Sequence, residues 1–427
     1  MKDYFSEIVG YEEVKKELSI ISDMLNNPEI YQNLGASINE GIVLSGRPGT
    51  GKTTMANCLI RSVDRKAYII RKKGSDGDFI KTIENIFADA RQNAPSIILL
   101  DDLDKFSDQN ENCDAEEFVT IQSCIDEIRE SDIYVIATVN NIRKIPKSLL
   151  RAGRLGKRLK IRLPNEKEAE EIIKHYMARS SMFDKLEEES IARMLEGESC
   201  ATLESVINNA AIKAAYNRQN KVTMQNIIDS CLDLIFDAPE SSDPIPEDIL
   251  KKIAYHESGH ALISELLDPG SVSLMSIRKT NDGDYGFVRY YRSEEKTDNS
   301  AEYNESIIKV SLSGKAATEL VFGETDMGAN ADLHNAFHRA TCLVDNECMF
   351  GFQNWIEDEH DEYAAENRNR TVSLVMEKNY LEVKKLLADN RNLLDRMASE
   401  LLDKITLVRM DVQRIMNENK NKASYVR

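Results

Sequence analysis

Residues 41–54 read Gly-Ile-Val-Leu-Ser-Gly46-Arg-Pro-Gly-Thr-Gly51-Lys52-Thr53-Thr54, and this stretch decides the fold of the first part of the chain. An apolar run typical of a buried strand leads into the pattern GxxxxGK[ST], and a helical pattern follows. Glycines in such a loop let backbone N–H groups surround phosphate oxygens, and the first turn of the helix adds positive potential. We predict that the loop binds ATP, with Lys52 at the β- and γ-phosphates and the Thr53 hydroxyl on Mg²⁺. The binding residues predicted from the loop are Gly46, Gly49, Thr50, Gly51, Lys52, Thr53 and Thr54.

Four short apolar runs in this part of the chain alternate with helical patterns. They are Gly41–Ser45, Ala67–Ile70, Ser96–Leu100 and Ile133–Thr138. Strands that alternate with helices favour a parallel sheet covered on both faces. We therefore predict an α/β nucleotide-binding core over residues 1–163.

Two acidic residues follow the third of these strands. Asp101 and Asp102 come directly after Ser96-Ile-Ile-Leu-Leu100. The carboxyl end of a parallel strand lies at the same sheet edge as the phosphate loop. Asp101 is expected to hold the hydration shell of Mg²⁺, and Asp102 is expected to polarise the attacking water.

The rest of the chain is mostly helical. Residues 164–236 carry a helical period throughout and are predicted to form a small helical lid subdomain. Residues 237–248 are polar and contain three prolines, which favour extended backbone, so they read as a linker. Residues 249–427 are predicted to form a mainly α-helical domain with a β-like stretch at Ser271–Tyr291, closed by amphipathic helices over Leu381–Met416.

The helical pattern after the linker contains His256-Glu257-Ser258-Gly259-His260, an HExxH motif. Residues i and i+4 lie on one face of a helix, so both imidazoles can bind one zinc ion. Glu257 would then lie beside the metal, where it can take a proton from the attacking water. The motif predicts a zinc peptidase site with Glu257 as the general base.

A catalytic zinc site needs a third protein ligand, and spacing alone does not choose it. The downstream candidates are Asp332, His334, His338 and His360, together with several glutamates. His334 and His338 are themselves four residues apart, so a second metal site is an alternative. Solvated histidines on a helix face are the more ordinary interpretation of that pair.

The composition excludes several classes of protein. Lys and Arg total 55 against 73 Asp and Glu, a formal net charge of −18, which argues against a general nucleic-acid binder. The seven cysteines are scattered and include no CxxC pair, which is typical of reduced thiols in the cytosol. The first residues lack the apolar core of a signal peptide, and no apolar run reaches 18 residues. We expect a soluble cytoplasmic chain with no transmembrane segment.

The order of these motifs resembles the FtsH family, the AAA+ zinc metalloproteases, over nearly the whole chain. The resemblance implies that Val9 and Gly10, in Phe5-Ser-Glu-Ile-Val-Gly10-Tyr-Glu-Glu-Val, lie near the adenine. It implies that Asn140, in Thr138-Val-Asn140, lies near the γ-phosphate. Leu149-Leu-Arg-Ala-Gly-Arg154-Leu-Gly-Lys157 is similar to the arginine-finger segment, which places Arg154 and Lys157 at the nucleotide of a neighbouring subunit.

Further segments extend the resemblance through the second half. Ser199-Cys-Ala-Thr-Leu203 is similar to the lid motif that closes over the base, and Ser313-Gly-Lys-Ala-Ala-Thr-Glu319 is similar to a segment of the protease part. Met327-Gly-Ala-Asn-Ala-Asp332-Leu resembles the segment that supplies the third zinc ligand, and it selects Asp332. Asn390–Asp395 and Leu401–Leu407 match the closing helices.

Several positions depart from the family pattern. Asp102 replaces the usual catalytic glutamate, Lys157 replaces the second arginine finger and Cys200 replaces a lid glycine. The loop Arg71–Asp78 is short and lacks the aromatic–apolar–glycine triplet that grips substrate in the central pore. The family's membrane helices are not in this sequence.

The sequence thus predicts a soluble, ATP-dependent zinc endopeptidase that acts on polypeptides as a homohexamer. The cofactors would be Zn²⁺ and ATP with Mg²⁺. One alternative is a non-proteolytic AAA+ remodelling or regulatory protein. Another is a metallopeptidase whose ATPase half is degenerate and only senses nucleotide.

Overall fold

The computed structural model describes residues 4–36, 41–72, 78–107, 115–184, 186–240, 245–291, 300–324, 329–346, 349 and 362–424. The chain divides into two compact units. The first comprises residues 1–184 and 195–221, and the second comprises residues 185–194 and 222–427. No helix of the described part is both long enough and apolar enough to cross a membrane.

The first unit is built on a parallel five-stranded sheet. Its strands are β1 (Ile42–Gly46), β2 (Lys66–Ile70), β3 (Ser96–Leu100), β4 (Ile133–Val139) and β5 (Lys157–Ile161), in the order β2-β3-β4-β1-β5. The α/β fold predicted from sequence is confirmed. Strand β5 was not predicted, because Lys-Arg-Leu-Lys-Ile carries three cations; cationic side chains are common on edge strands, where they discourage pairing with another chain.

The helices of the first unit pack on this sheet or on one another. They are α1 (Glu12–Asn26), α2 (Pro28–Asn33), α3 (Lys52–Arg61), α4 (Phe79–Gln92), α5 (Glu116–Glu127), α6 (Glu166–Met177) and α8 (Cys200–Tyr216). The core on one face joins α4 and α5 to β3 and β4 through fully buried apolar side chains such as Ile83, Ile98 and Ile121. The short helix α7 (Glu188–Met194) belongs to the second unit.

The second unit is mainly helical. It contains α9 (Met224–Leu234), α10 (Glu247–Leu267), α11 (Ala301–Phe322), α12 (Asn330–Asp345), α13 (Glu362–Asp389), α14 (Arg391–Lys404) and α15 (Arg409–Ser424). An antiparallel sheet of β6 (Val272–Lys279), β7 (Tyr285–Tyr290) and β8 (Thr406–Val408) packs beside them in the order β7-β6-β8. Strand β8 lies between two of the amphipathic helices predicted over Leu381–Met416: the backbone turns at Ile405, which has φ 64°, and the next three residues pair with β6.

Helices α10 and α11 form the centre of the second unit. A Cβ on Gly259 of α10 would lie 2.6 Å from Ala317 Cβ and from Ser313 O of α11. Since real contacts are never this short, only glycine lets the two backbones approach so closely. This close approach brings α11 against the HExxH face of α10.

The helices of the predicted lid are divided between the two compact units. Within the predicted lid, residues 164–236, α6 and α8 pack in the first unit, whereas α7 and α9 pack in the second. The boundaries at 163/164, 236/237 and 248/249 stay predictions. Residues 241–244 of the predicted linker lie outside the described residues.

Candidate metal centre and nucleotide site

Three side chains meet at one point in the second unit. His256 Nε2 lies 3.1 Å from Asp332 Oδ2 and 3.1 Å from His260 Nε2, and the third side of this triangle, between His260 Nε2 and Asp332 Oδ2, is 3.2 Å. Two ligand atoms about 2.0–2.1 Å from a tetrahedral zinc ion are about 3.3 Å apart, so this donor set fits zinc. Among the described residues, these three form the one group of histidine, cysteine and carboxylate side chains close enough together to hold an ion.

Both histidines project from α10, one turn apart, and both are buried. His260 Nδ1 donates a hydrogen bond of 2.7 Å to the Val310 carbonyl of α11. This bond fixes the tautomer and leaves the Nε2 lone pair free for a metal. Asp332 comes from the first turn of α12.

Gly314 of α11 lies directly over the two imidazoles. A Cβ at this position would be 2.5 Å from Nε2 of both His256 and His260. Any side chain here would therefore occupy the space of the metal. The requirement for glycine at residue 314 was missed by sequence reasoning, although the small residues of Ser313-Gly-Lys-Ala-Ala signal a close helix contact.

Glu257 is 5% exposed and lies beside the three candidate ligands. Burial raises the pKa of Glu257 to about 7, against the opposing influence of the two histidines. A carboxylate with a pKa near neutrality suits a general base. Gly286 of β7 lies behind it: a Cβ on Gly286 would be 2.7 Å from Glu257 Oε1, so β7 also approaches the site through glycine.

A cleft of about 860 Å³ opens over these side chains. Its walls are α10, β7, α11 and α12, and its lining is mostly apolar, with Phe287, Val288 and Tyr290 on the β7 side. A cleft of this size accommodates several residues of an extended peptide.

Two other candidate ligands, His334 and His338, do not join this centre. His334 and His338 are exposed on α12, and His338 Nε2 is 3.9 Å from Cys342 Sγ. His360, and Met327 and Gly328 of the segment that selected Asp332, lie outside the described residues.

The phosphate loop of the first unit contains two glycines in a backbone conformation that other residues rarely adopt. Gly49 and Gly51 have φ angles of 77° and 85°, in the left-handed region. Lys52 Nζ donates to the carbonyls of Gly46 and Arg47 at 2.9 and 2.8 Å. Burial lowers the pKa of Lys52, against the opposing influence of Asp102 and its neighbours. Thr50 is buried within the loop, and Thr54 is exposed on the first turn of α3.

Asp101 is 1% exposed and fully hydrogen-bonded. Its Oδ1 accepts from Thr53 Oγ1 at 3.0 Å and from Thr138 Oγ1 at 2.7 Å, and its Oδ2 accepts from Arg71 Nε at 2.9 Å. Burial acts to raise the pKa of Asp101, but these hydrogen bonds outweigh it and lower the pKa. The contact with Arg71 was not expected from the sequence, where Arg71 belongs to the loop assigned to the pore.

Asp102 lies beside Asn140, as the predicted roles of the two residues require. Asn140 Nδ2 donates to Asp102 Oδ1 at 3.1 Å, and Lys105 Nζ lies 2.8 Å from Oδ2. Asp102 has φ 57°, and its N–H donates to Thr138 Oγ1 at 2.8 Å. The two acids after β3 therefore point to different partners.

The structure also brings the opening segment and α8 to the phosphate loop. The N–H of Ala201 donates to the Gly49 carbonyl at 3.1 Å. Tyr11 Oη lies 3.5 Å from Cys200 Sγ at the start of α8, and a Cβ on Gly10 would lie 3.0 Å from Glu168 Cγ of α6.

Arg154 and Lys157 have partners within the first unit. Arg154 Nε and Nη2 donate to the Asp126 carboxylate at 2.8 and 2.7 Å, and Lys157 Nζ lies 2.8 Å from Glu17 Oε2. Any contact with a neighbouring subunit's nucleotide would require these ion pairs to open.

Each of the two units contains a segment that matches the model of a known protein family. Residues 42–163 match the ATPase family associated with various cellular activities (AAA), and residues 245–415 match peptidase family M41. An ATP-dependent zinc metalloprotease FtsH 2 of Thermoanaerobacter sp. (strain X514) is 28% identical over 97% of this chain and 83% of its own length. The FtsH of Ureaplasma parvum is 27% identical over 98% of this chain and 63% of its own length, and FtsH 2 of Petrotoga mobilis is 29% identical over 96% and 70%.

These matches define an AAA ATPase joined in one chain to a metallopeptidase. The chain joins an AAA domain to an M41 peptidase domain, and over 96–98% of its length it is similar to FtsH-type ATP-dependent zinc metalloproteases. The family predicted from the sequence is confirmed. The chain spans between 63% and 83% of the length of these three relatives.

Proposed function

We propose that this chain is an ATP-dependent zinc endopeptidase that degrades unfolded or partly unfolded polypeptides. The observation that carries the proposal is the triangle of His256, His260 and Asp332, with 3.1–3.2 Å between donor atoms, beside the buried Glu257. When bound there, zinc supplies Lewis acidity for attack on a peptide carbonyl.

The chain's own residues perform the proton transfers. A peptide lies extended in the cleft beside β7. The Glu257 carboxylate accepts a proton from the attacking water and then gives it to the leaving amine. The burial that raises the pKa of Glu257 suits both steps, since the group must bind and release a proton near neutral pH.

In the first unit, Lys52 and Thr53 bind the β/γ-phosphates and Mg²⁺ of ATP, and Asp101 holds the hydration shell of Mg²⁺. Asp102 orients the attacking water, with Asn140 beside it. Residues Val9 and Gly10 contact the adenine. The homohexamer, with Arg154 and Lys157 acting on the nucleotide of a neighbouring subunit, is supported by the family relationship.

A cleavage assay on an unfolded protein tests the proposal, run with and without ATP on the zinc-loaded wild type, Lys52→Ala and Glu257→Gln. We expect Glu257→Gln to keep its zinc and to lose cleavage by several orders of magnitude, because the amide cannot accept a proton. We expect Lys52→Ala to lose the ATP dependence. Wild-type cleavage by Glu257→Gln would refute the peptidase mechanism, and cleavage by the wild type that does not depend on ATP would favour a degenerate ATPase half.

A further inference from the structure

The segment that follows α9 lies against the β6–β7 hairpin. The ring of Phe236 stacks on Phe287 of β7, with centroids 4.5 Å apart and planes 19° apart. Next to it, the N–H of Asn281 in the hairpin turn donates to the Asp237 carbonyl at 2.8 Å, and Asn281 Nδ2 donates to Asp237 Oδ1 at 2.5 Å. The segment is therefore bound to the hairpin through both side chains and backbone.

Helix α9 itself also contacts the same hairpin. Arg278 of β6 donates to Asp229 of α9 at 2.5 Å, and the two side chains are only 14% and 23% exposed. The guanidinium of Arg289 in β7 lies 5.8 Å from the centre of the Phe236 ring, within the range of a cation–π contact. These contacts involve both strands of the hairpin.

The same hairpin forms a wall of the peptidase site. Gly286, the residue before Phe287, approaches so closely to Glu257 that a Cβ there would meet Oε1 at 2.7 Å. Among the described residues, strand β7 is at the edge of its sheet and pairs with β6 alone. An edge strand has no second neighbouring strand to fix its distance from α10, so contacts from outside the sheet must do so.

We propose that Phe236 is a positioning residue for peptide hydrolysis. Its ring holds Phe287 and thereby keeps the Gly286 backbone against the Glu257 carboxylate. The role rests on the proposed peptidase function. Displacements near 1 Å at a catalytic group can reduce a rate by roughly 100-fold, so loss of the stack should act on turnover.

The test uses the full zinc-loaded chain and a short fluorogenic peptide, which needs no unfolding. Phe236→Ala is expected to reduce kcat by roughly 10- to 100-fold, with KM within about twofold of the wild-type value. Phe236→Tyr keeps the aromatic stack and should restore most of kcat. Leu234→Ala, an exposed apolar residue of α9, is the matched control and should behave as wild type.

Hydrogen exchange of the amides of residues 285–290 provides a readout that does not depend on activity. Exchange should be faster in Phe236→Ala than in wild type and Leu234→Ala, with zinc content equal in all three. Wild-type kcat in Phe236→Ala, or a fall in kcat with unchanged exchange, overturns the proposal.

The test can still be carried out if Phe236→Ala does not fold or if the wild-type chain does not cleave the peptide. If Phe236→Ala does not fold, Asn281→Ala, which removes the side-chain bond to Asp237, replaces it: faster exchange with lower kcat supports the positioning role, and wild-type behaviour overturns it. If the wild-type chain does not cleave the peptide, the proposed function fails, and the exchange comparison alone decides whether Phe236 positions the hairpin.

Discussion

At the scale of single residues, the choice of Asp332 as third ligand is open to direct test. Asp332→Ala removes one of three donors, so zinc content should fall and peptide cleavage should be lost, whereas ATP hydrolysis should persist. Zinc measured by mass spectrometry on purified protein checks this. His334→Ala, two residues further along the same helix, is the control and should keep its zinc. Full zinc content with full activity in Asp332→Ala would show that another ligand completes the site.

Arg71 is a second residue whose contact makes a specific prediction. Its guanidinium bonds to Asp101, the carboxylate expected at Mg²⁺, so the two cations compete for the same acid. Ion pairs with an exposed partner are worth about 0.2–1 kcal/mol. Arg71→Ala should therefore lower the Mg²⁺ concentration that half-saturates binding of a fluorescent ATP analogue, by roughly 1.4- to fivefold.

The control for Arg71 is Lys81→Ala, which removes an exposed cation on α4 paired with Asp78 at 3.3 Å. It should leave the Mg²⁺ midpoint unchanged. A higher Mg²⁺ requirement in Arg71→Ala would mean that the arginine assists binding of the metal–nucleotide complex.

At the scale of elements, the contact between α10 and α11 depends on Gly259. In Gly259→Ala the new methyl group would meet Ala317 and the Ser313 carbonyl at 2.6 Å and would push the helices apart. Overpacking of this kind costs about 1–3 kcal/mol. We expect a lower free energy of unfolding of the second unit, measured by denaturant titration.

The neighbouring residue Ser258 makes a matched comparison. Its Oγ is buried and has no hydrogen-bond partner among the described residues. An unsatisfied buried hydroxyl costs about 1–3 kcal/mol, so Ser258→Ala should be neutral or stabilising. Equal losses of stability in the two variants would argue against helix separation as the cause.

The sequence predicted those elements whose residues are buried in a regular pattern. Strands β1, β3 and β4 were found because central parallel strands are continuously apolar. Strand β5 was not predicted because its residues do not form an apolar run: an edge strand tolerates Lys157, Arg158 and Lys160. Strand β8 was not predicted because a segment of three residues is too short to show a hydrophobic period.

For the candidate sites too, some residues could be predicted from the sequence and others could not. HExxH and the phosphate loop could be found because their chemistry lies within a few consecutive residues. Gly314, Gly286 and the Arg71–Asp101 contact could not, because each acts on a side chain remote in sequence. Asp332 was reached only through the family resemblance.

At the scale of the whole molecule, the loop after β2 bears on how substrate is handled. Lys72 Nζ donates to the Phe106 carbonyl at 2.8 Å, and Arg71 bonds to Asp101, so both cations at the start of this loop have partners within the first unit. Residues 73–77 lie outside the described residues. Without an aromatic–apolar–glycine triplet, grip on a chain under load should be weak.

We therefore expect ATP-dependent degradation of unstructured chains and little degradation of stable domains. A tightly folded fluorescent reporter with an unstructured tag measures this, and a destabilised variant of the same reporter is the control. Processive, ATP-driven loss of the folded reporter would contradict the expectation.

The packing of α9 with the peptidase unit determines what a single cut in the backbone would do. A specific cleavage site inserted at residues 239–240 falls in the predicted linker and severs the chain between α9 and α10. The two fragments would still be held by the Asp229–Arg278 ion pair and the Phe236–Phe287 stack. The nicked protein should elute from a gel-filtration column as one particle. It should separate into two bands only on a denaturing SDS gel.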